Sequence, residues 1–313
     1  MALWPDEYEG LRDEARQMID VILSTFVGGA TGEMPTDQAG RVRFMRRTLA
    51  ALESQAPSGR DETIAGVPCR VFDPTTAPRG TYLHFHGGAM LLGSPRLNDT
   101  DNAGLCERLG VRVVSVDYRL APEHPYPAGS DDCLAVAQWL LDDEHGPVVV
   151  GGESAGGYYA ALTLLRIRDE LGAVDRVTGA NLIFGVYDLS GTPTARGTRP
   201  TELPDLLDDA MSGFINECYL PGRSVEDARD PAVSPLYVDL GGLPPALFTV
   251  GSADHLLDDS LFMAARWEAY GNDAELAVYP DCPHGFTGFP MELAKRARER
   301  IDAFLDRAFT TTG

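Results

Sequence analysis

The chain has almost no lysine. Lys295 is the only lysine among 313 residues, so nearly all of the positive charge comes from arginine. Acidic residues number 47 against 26 basic ones, which gives a formal net charge of −21. Binding to nucleic-acid phosphates requires a basic patch, so this balance argues against a nucleic-acid partner. We interpret the acidity as a soluble surface whose like charges repel one another, with adaptation to a saline habitat as the alternative.

Long apolar stretches are also missing. No run of about 18 apolar residues exists, so we expect no membrane span. The first residues, 1–7, lack the basic and apolar regions of a signal peptide. The cysteines show no C-x-x-C spacing and are dispersed: Cys69, Cys106, Cys133, Cys218 and Cys282. Dispersed thiols indicate a reducing compartment, and we expect a cytoplasmic protein.

One serine stands in a pattern typical of a catalytic nucleophile. Ser154 is the centre of Gly152-Glu153-Ser154-Ala155-Gly156, a G-x-S-x-G sequence. An apolar run, 146–151, precedes it, and a helix-compatible stretch, 158–171, follows it. A nucleophile elbow needs this order of buried strand, sharp turn and helix, with small neighbours that let strand and helix close tightly. Because G-x-S-x-G alone also arises by chance, the flanking elements carry the prediction.

The scarcity of histidine restricts the choice of a general base. In chains with such an elbow the acid follows the serine and the histidine follows the acid. Only His255 and His284 lie after Ser154. His255 adjoins an aspartate directly, an arrangement that rarely lets a histidine reach both the acid and the serine. We therefore predict His284 as the base. Cys282, two residues before it, is interpreted as a packing residue of the same loop.

The acid is predicted from its position after a strand. Asp254 follows the apolar run 246–250. Catalytic groups of parallel sheets lie at the carboxyl ends of strands, which favours Asp254. Asp188, after the apolar run 182–187, is the first alternative. Asp258, one helical turn beyond Asp254, is the second.

A glycine-rich turn predicts the oxyanion hole. The strand-like run 81–85 is followed by His86-Gly87-Gly88-Ala89. Glycines allow backbone N–H groups to face a carbonyl oxygen as it becomes an oxyanion. The predicted donors are the amides of Gly88, Ala89 and Ala155, the last being the residue after the nucleophile.

Two histidines on this strand raise the question of a metal. His84 and His86 lie two residues apart, on one face of the strand. No third ligand cluster accompanies them, so we expect no metal site. The serine mechanism needs no organic cofactor, and we expect none. His86 is interpreted as a residue that holds the loop.

These motifs together resemble the hormone-sensitive lipase family of microbial serine esterases. The resemblance covers about residues 80 to 290, and its motifs follow one another in the family's order. The matching motifs are His86-Gly87-Gly88-Ala89, residues 117–128 (DYRLAPEHPYPA), residues 152–157 (GESAGG), residues 254–258 (DHLLD) and His284-Gly285-Phe286. It implies an α/β-hydrolase with Ser154, Asp254 and His284 as the catalytic residues. The longer type B carboxylesterases share G-E-S-A-G-G but use glutamate as the acid.

The chain departs from the family pattern at three positions. Ala89 replaces a glycine, which matters only if the local φ is positive. Met90 stands where an aromatic residue is common, so the acyl pocket is expected to differ. His255 replaces a proline, which predicts a less rigid acid loop.

Alternating patterns predict an α/β fold with a mostly parallel central sheet and flanking helices. The helices outside the sheet core either pack on the outside of the core or form a helical cap. Strands are predicted near 62–72, 80–86, 111–117, 147–152, 180–187, 245–250 and 274–280. Helices outside the sheet core are predicted at 8–26, 41–52 and 204–219. The resemblance favours a cap built from residues 1–55 and 190–235, with the catalytic core in 56–189 and 236–313.

The sequence thus predicts a serine carboxylesterase for short-chain acyl esters. Alternatives are amide or carbamate hydrolysis or acyl transfer by the same residues, and a non-catalytic small-molecule receptor on the same scaffold. The last strand is expected at a sheet edge, where it would pair with a symmetry mate to form a homodimer. The expected partner is a small ester, with no nucleic acid and no membrane.

Overall fold

A computed structural model describes residues 3–29, 35–53, 56, 59–143, 146–204 and 209–310. Eight strands follow one another along the chain: β1 (Arg60–Ile64), β2 (Val67–Phe72), β3 (Thr81–Phe85), β4 (Arg112–Val116), β5 (Val148–Glu153), β6 (Val177–Ile183), β7 (Ala246–Gly251) and β8 (Ala274–Tyr279). The α-helices of the described residues are α1 (Arg12–Gly29), α2 (Gln38–Ala50), α3 (Asp99–Leu109), α4 (Ala128–Asp143), α5 (Ala155–Arg166), α6 (Asp209–Tyr219), α7 (Leu257–Ala269) and α8 (Glu292–Thr310).

The strands form one mostly parallel sheet in the order β1-β2-β4-β3-β5-β6-β7-β8. β2 pairs antiparallel with β1 and β4, and every other pair is parallel. Every residue of β3 and of β7 is buried, as parallel strands covered on both faces require. The predicted α/β fold with a mostly parallel central sheet is confirmed, and β8 lies at a sheet edge as predicted.

Two apolar clusters cover the two faces of the sheet. One includes side chains from α4, α5 and α7, with Trp267 fully buried. The other includes side chains from α3 and α8, together with Ala15 of α1. Burying one large apolar side chain contributes about 1.5–3 kcal/mol, so these layers fix the sheet and present its carboxyl edge.

Several predicted elements have different bounds in the structure. The single strand predicted at 62–72 is a hairpin, because Ala65 and Gly66 both have positive φ (51° and 83°), as a two-residue turn between twisted strands requires. The strand predicted at 180–187 begins at Val177 and ends at Ile183, since Phe184 has a φ of 34°. The predicted helix 8–26 starts with a 3-10 turn at Asp6–Leu11.

Three other helix predictions also differ in extent. The helix-compatible stretch 158–171 is α5, which begins at Ala155, plus a π-helical turn at Ile167–Leu171. The prediction at 41–52 corresponds to α2. Of the helix predicted at 204–219, residues 205–208 lie outside the described residues, and α6 supplies the remainder.

The helices of the described residues include none that is both long enough and apolar enough to cross a bilayer.

Lys295 lies on the exposed side of α8, with its ammonium 3.9 Å from a carboxylate oxygen of Glu292 and 3.8 Å from one of Glu299. Its side chain is 60% exposed.

Candidate active site

The turn from β5 to α5 holds Ser154 in a strained backbone conformation. Its φ is 57° and its ψ is −119°, which an L-residue adopts at a cost of about 1–3 kcal/mol. The Ser154 N–H donates to the Ile183 carbonyl over 2.9 Å. A side chain at Gly156 would collide with the Phe85 carbonyl oxygen, so α5 can approach β3 only because this residue is glycine. The turn at Ser154 therefore has the backbone geometry of the nucleophile elbow that the sequence predicts.

Three side chains from the ends of β5, β7 and β8 form a hydrogen-bonded chain. His284 Nε2 lies 2.9 Å from Ser154 Oγ. His284 Nδ1 lies 3.0 and 2.9 Å from the two carboxylate oxygens of Asp254. This arrangement lets His284 accept the serine proton at one nitrogen while its other nitrogen donates to the carboxylate.

Asp254 is held as a carboxylate although it is fully buried. Burial has the largest single effect and raises the pKa of Asp254, but the charge and hydrogen bond of His284, together with His255 and the Leu256 N–H, outweigh it and lower the pKa below its usual value. The Leu256 N–H adds a 2.8 Å hydrogen bond to Oδ1. The aspartate therefore remains ionised near neutral pH and can stabilise a protonated His284.

The alternative residues weighed from the sequence are turned elsewhere. Asp188 accepts from the Ser190 hydroxyl and from the Tyr237 hydroxyl, at 2.5 and 2.9 Å. Asp258 accepts from the Thr194 N–H at 3.0 Å. Neither of these aspartates forms a hydrogen bond with His284 among the described contacts.

His255 lies beside the hydrogen-bonded chain. Its Nδ1 is 3.4 Å from Asp254 Oδ1, and its ring centroid is 4.9 Å from that of His284. Burial, followed by repulsion from His284, lowers the pKa of His255 to about 4. The ring is therefore neutral at physiological pH.

Cys282 is fully buried, and burial raises the pKa of its thiol well above the usual value, which favours a packing role.

The loop after β3 has the backbone conformation of a strained turn. Gly88, Ala89 and Met90 have φ values of 126°, 55° and 60°. Ala89, which replaces the glycine of the family motif, thus lies at a position where φ is positive. The Leu91 and Leu92 N–H groups both donate to the Gly88 carbonyl, at 3.0 and 2.8 Å. Ala155, the other predicted donor, is the first residue of α5, whose N-terminal amides have no partner within the helix.

Glu153 connects this loop to the elbow. Its Oε1 accepts from the Gly87 N–H at 2.8 Å, and its Oε2 lies 3.0 Å from His84 Nε2. His84 Nδ1 in turn lies 2.7 Å from Ser115 Oγ. Sequence reasoning missed Glu153 and Ser115. The only available signal was the single acidic side chain inside the G-x-S-x-G motif, Glu153.

His84 and His86 make separate sets of contacts. His84 belongs to the Glu153 network, whereas His86 stacks on Tyr118 with ring centroids 4.2 Å apart. Burial lowers the pKa of His86 to about 4, so its ring is neutral, and its Nδ1 lies 2.7 Å from the Gly87 carbonyl. The Tyr118 hydroxyl donates to the His86 carbonyl at 2.6 Å. Among the described residues, one group of three side chains has atoms that could ligate a metal within 4.8 Å of one another. The group consists of Asp254, His255 and His284.

A cavity of about 350 Å³ opens beside Ser154. Its apolar lining includes Ala89, Met90, Val186, Leu189, Ile215, Val225 and Leu256. Its polar lining includes Asp188, Ser190, Arg196, Ser212, Asn216 and His255. Thus α6 and the segment after β6 bound the cavity, whereas the described parts of α1 and α2 do not line it. α2 instead packs against α6, where the Arg41 guanidinium lies 4.0 Å from the Phe214 ring centroid.

Residues 82–288 match the model of a family described by the alpha/beta hydrolase fold. The chain belongs to this family. It is 30% identical to the carboxylesterase NlhH of Mycobacterium tuberculosis, over 94% of both chains. It is also 30% identical to an acetyl-hydrolase of Streptomyces hygroscopicus, over 86% of this chain and 89% of that one.

Solved structures agree with this assignment. An esterase of the bacterial hormone-sensitive lipase family superposes with a TM-score of 0.78 at 28% identity, covering 94% of this chain and 98% of that one. The resemblance to the hormone-sensitive lipase family, found in the motifs, is therefore confirmed.

Proposed function

We propose that this hydrolase is a serine carboxylesterase that cleaves short-chain acyl esters through Ser154, His284 and Asp254. The observation that carries the proposal is the continuous hydrogen-bonded chain from Ser154 Oγ through His284 to the buried Asp254 carboxylate. The carboxylesterase and acetyl-hydrolase relatives support ester hydrolysis as the reaction class. The chain is accordingly a carboxylic ester hydrolase.

The reaction begins with attack of Ser154 Oγ on the ester carbonyl carbon. His284 Nε2 takes the serine proton as the new C–O bond forms, and Asp254 stabilises the resulting imidazolium. The imidazolium then gives the proton to the leaving alcohol as the ester C–O bond breaks. Water repeats the cycle on the acyl-enzyme, with His284 again as the base, and releases the carboxylic acid.

The amides of Gly88, Ala89 and Ala155 are the proposed donors to the oxyanion. Gly87 is not part of this set, because its N–H already donates to Glu153. Backbone N–H groups held in place before the reaction stabilise the developing negative charge without reorganising. The positive φ of Gly88 and Ala89 supports a loop that is shaped for this purpose.

Residues 1–55 and 190–235 are proposed as the cap over the carboxyl edge. The cavity lining from α6 supports the second part, and the packing of α2 on α6 supports the first. A cavity of about 350 Å³ is near the lower end of ligand pockets, which favours a short acyl group.

The decisive experiment combines labelling and kinetics. The wild-type protein should react with a fluorophosphonate probe and hydrolyse p-nitrophenyl butyrate, and Ser154→Ala should do neither. His284→Ala should lower kcat by about 10⁴-fold or more with the fold intact. Asp254→Asn should also be severely impaired, because the amide disfavours the required histidine tautomer.

Different outcomes would point to the other functions. A wild-type protein that the probe does not label would contradict the serine mechanism and favour a receptor. Labelling with rapid amide or carbamate cleavage and slow ester cleavage would shift the substrate class. Transfer of the acyl group to an added alcohol in preference to water would indicate an acyltransferase.

A further inference from the structure

A buried carboxylate near the proposed catalytic residues joins α1 to the loop that carries His284. The Asp281 side chain is 5% exposed. Arg12 donates to it twice, from Nε to Oδ2 over 2.8 Å and from Nη2 to Oδ1 over 3.1 Å. Arg16 Nε donates to the same Oδ2 over 2.7 Å. We call these three residues the Asp281 clamp.

The His284 loop is also bound to the loop that carries Asp254. The Asp281 N–H donates to Ser252 Oγ over 2.8 Å. The Ala253 N–H donates to the Cys282 carbonyl over 3.1 Å. A side chain at Gly251 would collide with this carbonyl, so the two loops are in close contact. A displacement of Asp281 would therefore move the surroundings of both His284 and Asp254.

The N-terminal segment contacts the chain on both sides of His284. Before the loop, the Tyr8 ring stacks on Tyr279 with centroids 5.5 Å apart. After the loop, Glu14 Oε2 accepts from the Glu292 N–H at 2.9 Å. Together with the clamp, these contacts hold the segment 279–292 against the N-terminal helix.

Stability alone does not account for an aspartate at this position. Asp281 has a φ of 54°, which a glycine would adopt without strain. The carboxylate is 5% exposed, whereas the Arg12 and Arg16 side chains are 32% and 46% exposed, so the ion pairs mainly offset the hydration that the buried carboxylate loses. A bidentate arginine–carboxylate contact does, however, fix geometry closely. Proton transfer requires a closely fixed geometry, because a shift of about 1 Å at the reacting groups can lower the rate about 100-fold.

We propose that Asp281 is a positioning residue whose ion pairs with Arg12 and Arg16 hold the His284 loop in the geometry for proton transfer from Ser154. Docking of α1 thereby controls the rate of the chemical step. The inference rests on the proposed function of Ser154, Asp254 and His284. It assigns to α1 a part in catalysis in addition to its proposed place in the cap.

Asp281→Gly tests the clamp with little backbone disturbance, because glycine suits the positive φ. The expected result is a decrease of about tenfold or more in kcat for p-nitrophenyl acetate, with KM nearly unchanged. The rate of fluorophosphonate labelling at Ser154 should fall in parallel, since it depends on the same proton acceptor. Arg12→Gln/Arg16→Gln should reproduce both effects, and serves as the test if Asp281→Gly does not fold.

The matched control is Asp302→Asn. Asp302 accepts two hydrogen bonds from Arg108, at 2.8 and 3.1 Å, between α8 and α3. It forms a bidentate surface pair outside the His284 loop, so kcat and the labelling rate should stay at the wild-type level. Both are measured below the unfolding transition of each variant.

Two outcomes would overturn the inference, and each is distinct from a failure of the proposed function. A folded Asp281→Gly variant with wild-type kcat and labelling rate would show that the clamp has only a structural role. An equal loss of kcat in Asp302→Asn would show that the effect is not specific to the loop. If the wild-type protein itself were not labelled, the serine mechanism would fail instead.

Discussion

Ala89 has the left-handed backbone conformation that glycine adopts freely, with a φ of 55°. Its loop is anchored on both sides. Gly87 is bound by Glu153, and the Leu91 carbonyl accepts from Arg46 Nε at 2.8 Å. These contacts impose the conformation on alanine although it is unfavourable for an L-residue. The substitution in the family motif therefore stores strain beside Ser154.

Ala89→Gly should increase the free energy of unfolding by up to about 1 kcal/mol. The relief of about 1–2 kcal/mol of strain exceeds the entropic cost of glycine in the unfolded chain, about 0.4–1 kcal/mol. Urea unfolding followed by tryptophan fluorescence measures the change. Ala135→Gly, within α4, is the control and should lose about 1 kcal/mol. A loss of stability in Ala89→Gly would contradict the strain.

Glu153→Ala should lower kcat about tenfold with little effect on KM. The side chain holds Gly87, and the neighbouring amides are proposed to act on the transition state more than on the bound ester. Glu153→Gln keeps an oxygen that can accept from the Gly87 N–H, and it should recover most of the activity. Steady-state kinetics with p-nitrophenyl acetate separates kcat from KM. Wild-type kcat in the alanine variant would exclude this role.

At the scale of elements, α7 anchors the segment that bounds the cavity. Asp259, fully buried in α7, accepts at Oδ1 from the Tyr187 and Asp188 N–H groups, at 2.6 and 2.9 Å. Its Oδ2 accepts from the Thr192 hydroxyl at 2.7 Å. Burial raises the pKa of Asp259 to about 7, although these hydrogen bonds act in the opposite direction.

This raised pKa predicts a pH-dependent stability. The folded state holds the Asp259 proton more tightly than the unfolded state, whose pKa is near the usual 3.8. The stabilisation is therefore complete below about pH 4 and is lost as the pH rises through 7, at about 1.4 kcal/mol for each unit between the two pKa values. Urea unfolding at pH 5 and pH 8 should show a smaller decrease for Asp259→Asn than for the wild type. Equal decreases in both proteins would refute the assignment.

Most elements of the sheet could be predicted because their signals are local. Buried strands such as β3 and β7 are apolar runs that end at turn residues, and Ser154, Asp254 and His284 each follow such a run. The hairpin turn at Ala65-Gly66 was missed because alanine rarely adopts a positive φ. Glu153 and Asp281 were missed for a different reason. Glu153 is separated from its partner Gly87 by 66 residues, and Asp281 is separated from its partner Arg12 by more than 260 residues, so only the fold brings each pair together.

For the whole molecule, the charge distribution bears on the substrate. The chain carries a formal charge of −21, and the N-terminal segment that is proposed as part of the cap is rich in charged side chains: Asp6, Glu7, Glu9, Arg12, Asp13, Glu14 and Arg16. Binding to a lipid surface takes a broad apolar face, and anionic surfaces repel an acidic protein. Both properties favour small dissolved esters over emulsified lipids.

The rate should therefore depend on acyl length with a maximum at about two to six carbons. Each methylene adds about 0.8 kcal/mol of binding while it contacts apolar surface, and the gain ends when the cavity is full. A series of p-nitrophenyl esters from acetate to palmitate, compared by kcat/KM, gives the profile. A maximum at twelve carbons or beyond would favour a true lipase.

A homodimer through β8 is predicted from the edge position of that strand. β8 pairs with β7 on one side only among the described strands. An unpaired edge invites pairing with a second copy. The N-terminal residues near Tyr8 lie beside its end at Tyr279, so the first half, Ala274–Leu276, is the expected contact. Light scattering at micromolar concentration should give twice the monomer mass, and a monomer mass would refute the prediction.

The single lysine on α8 makes the protein suited to oriented attachment. A reagent specific for side-chain amines has one target in the whole sequence, and the structure places that amine on an exposed helix surface rather than in the cavity beside Ser154. Coupling through Lys295 would hold every molecule on a support in the same orientation. The cavity beside Ser154 would then lie at the same position relative to the support in every molecule.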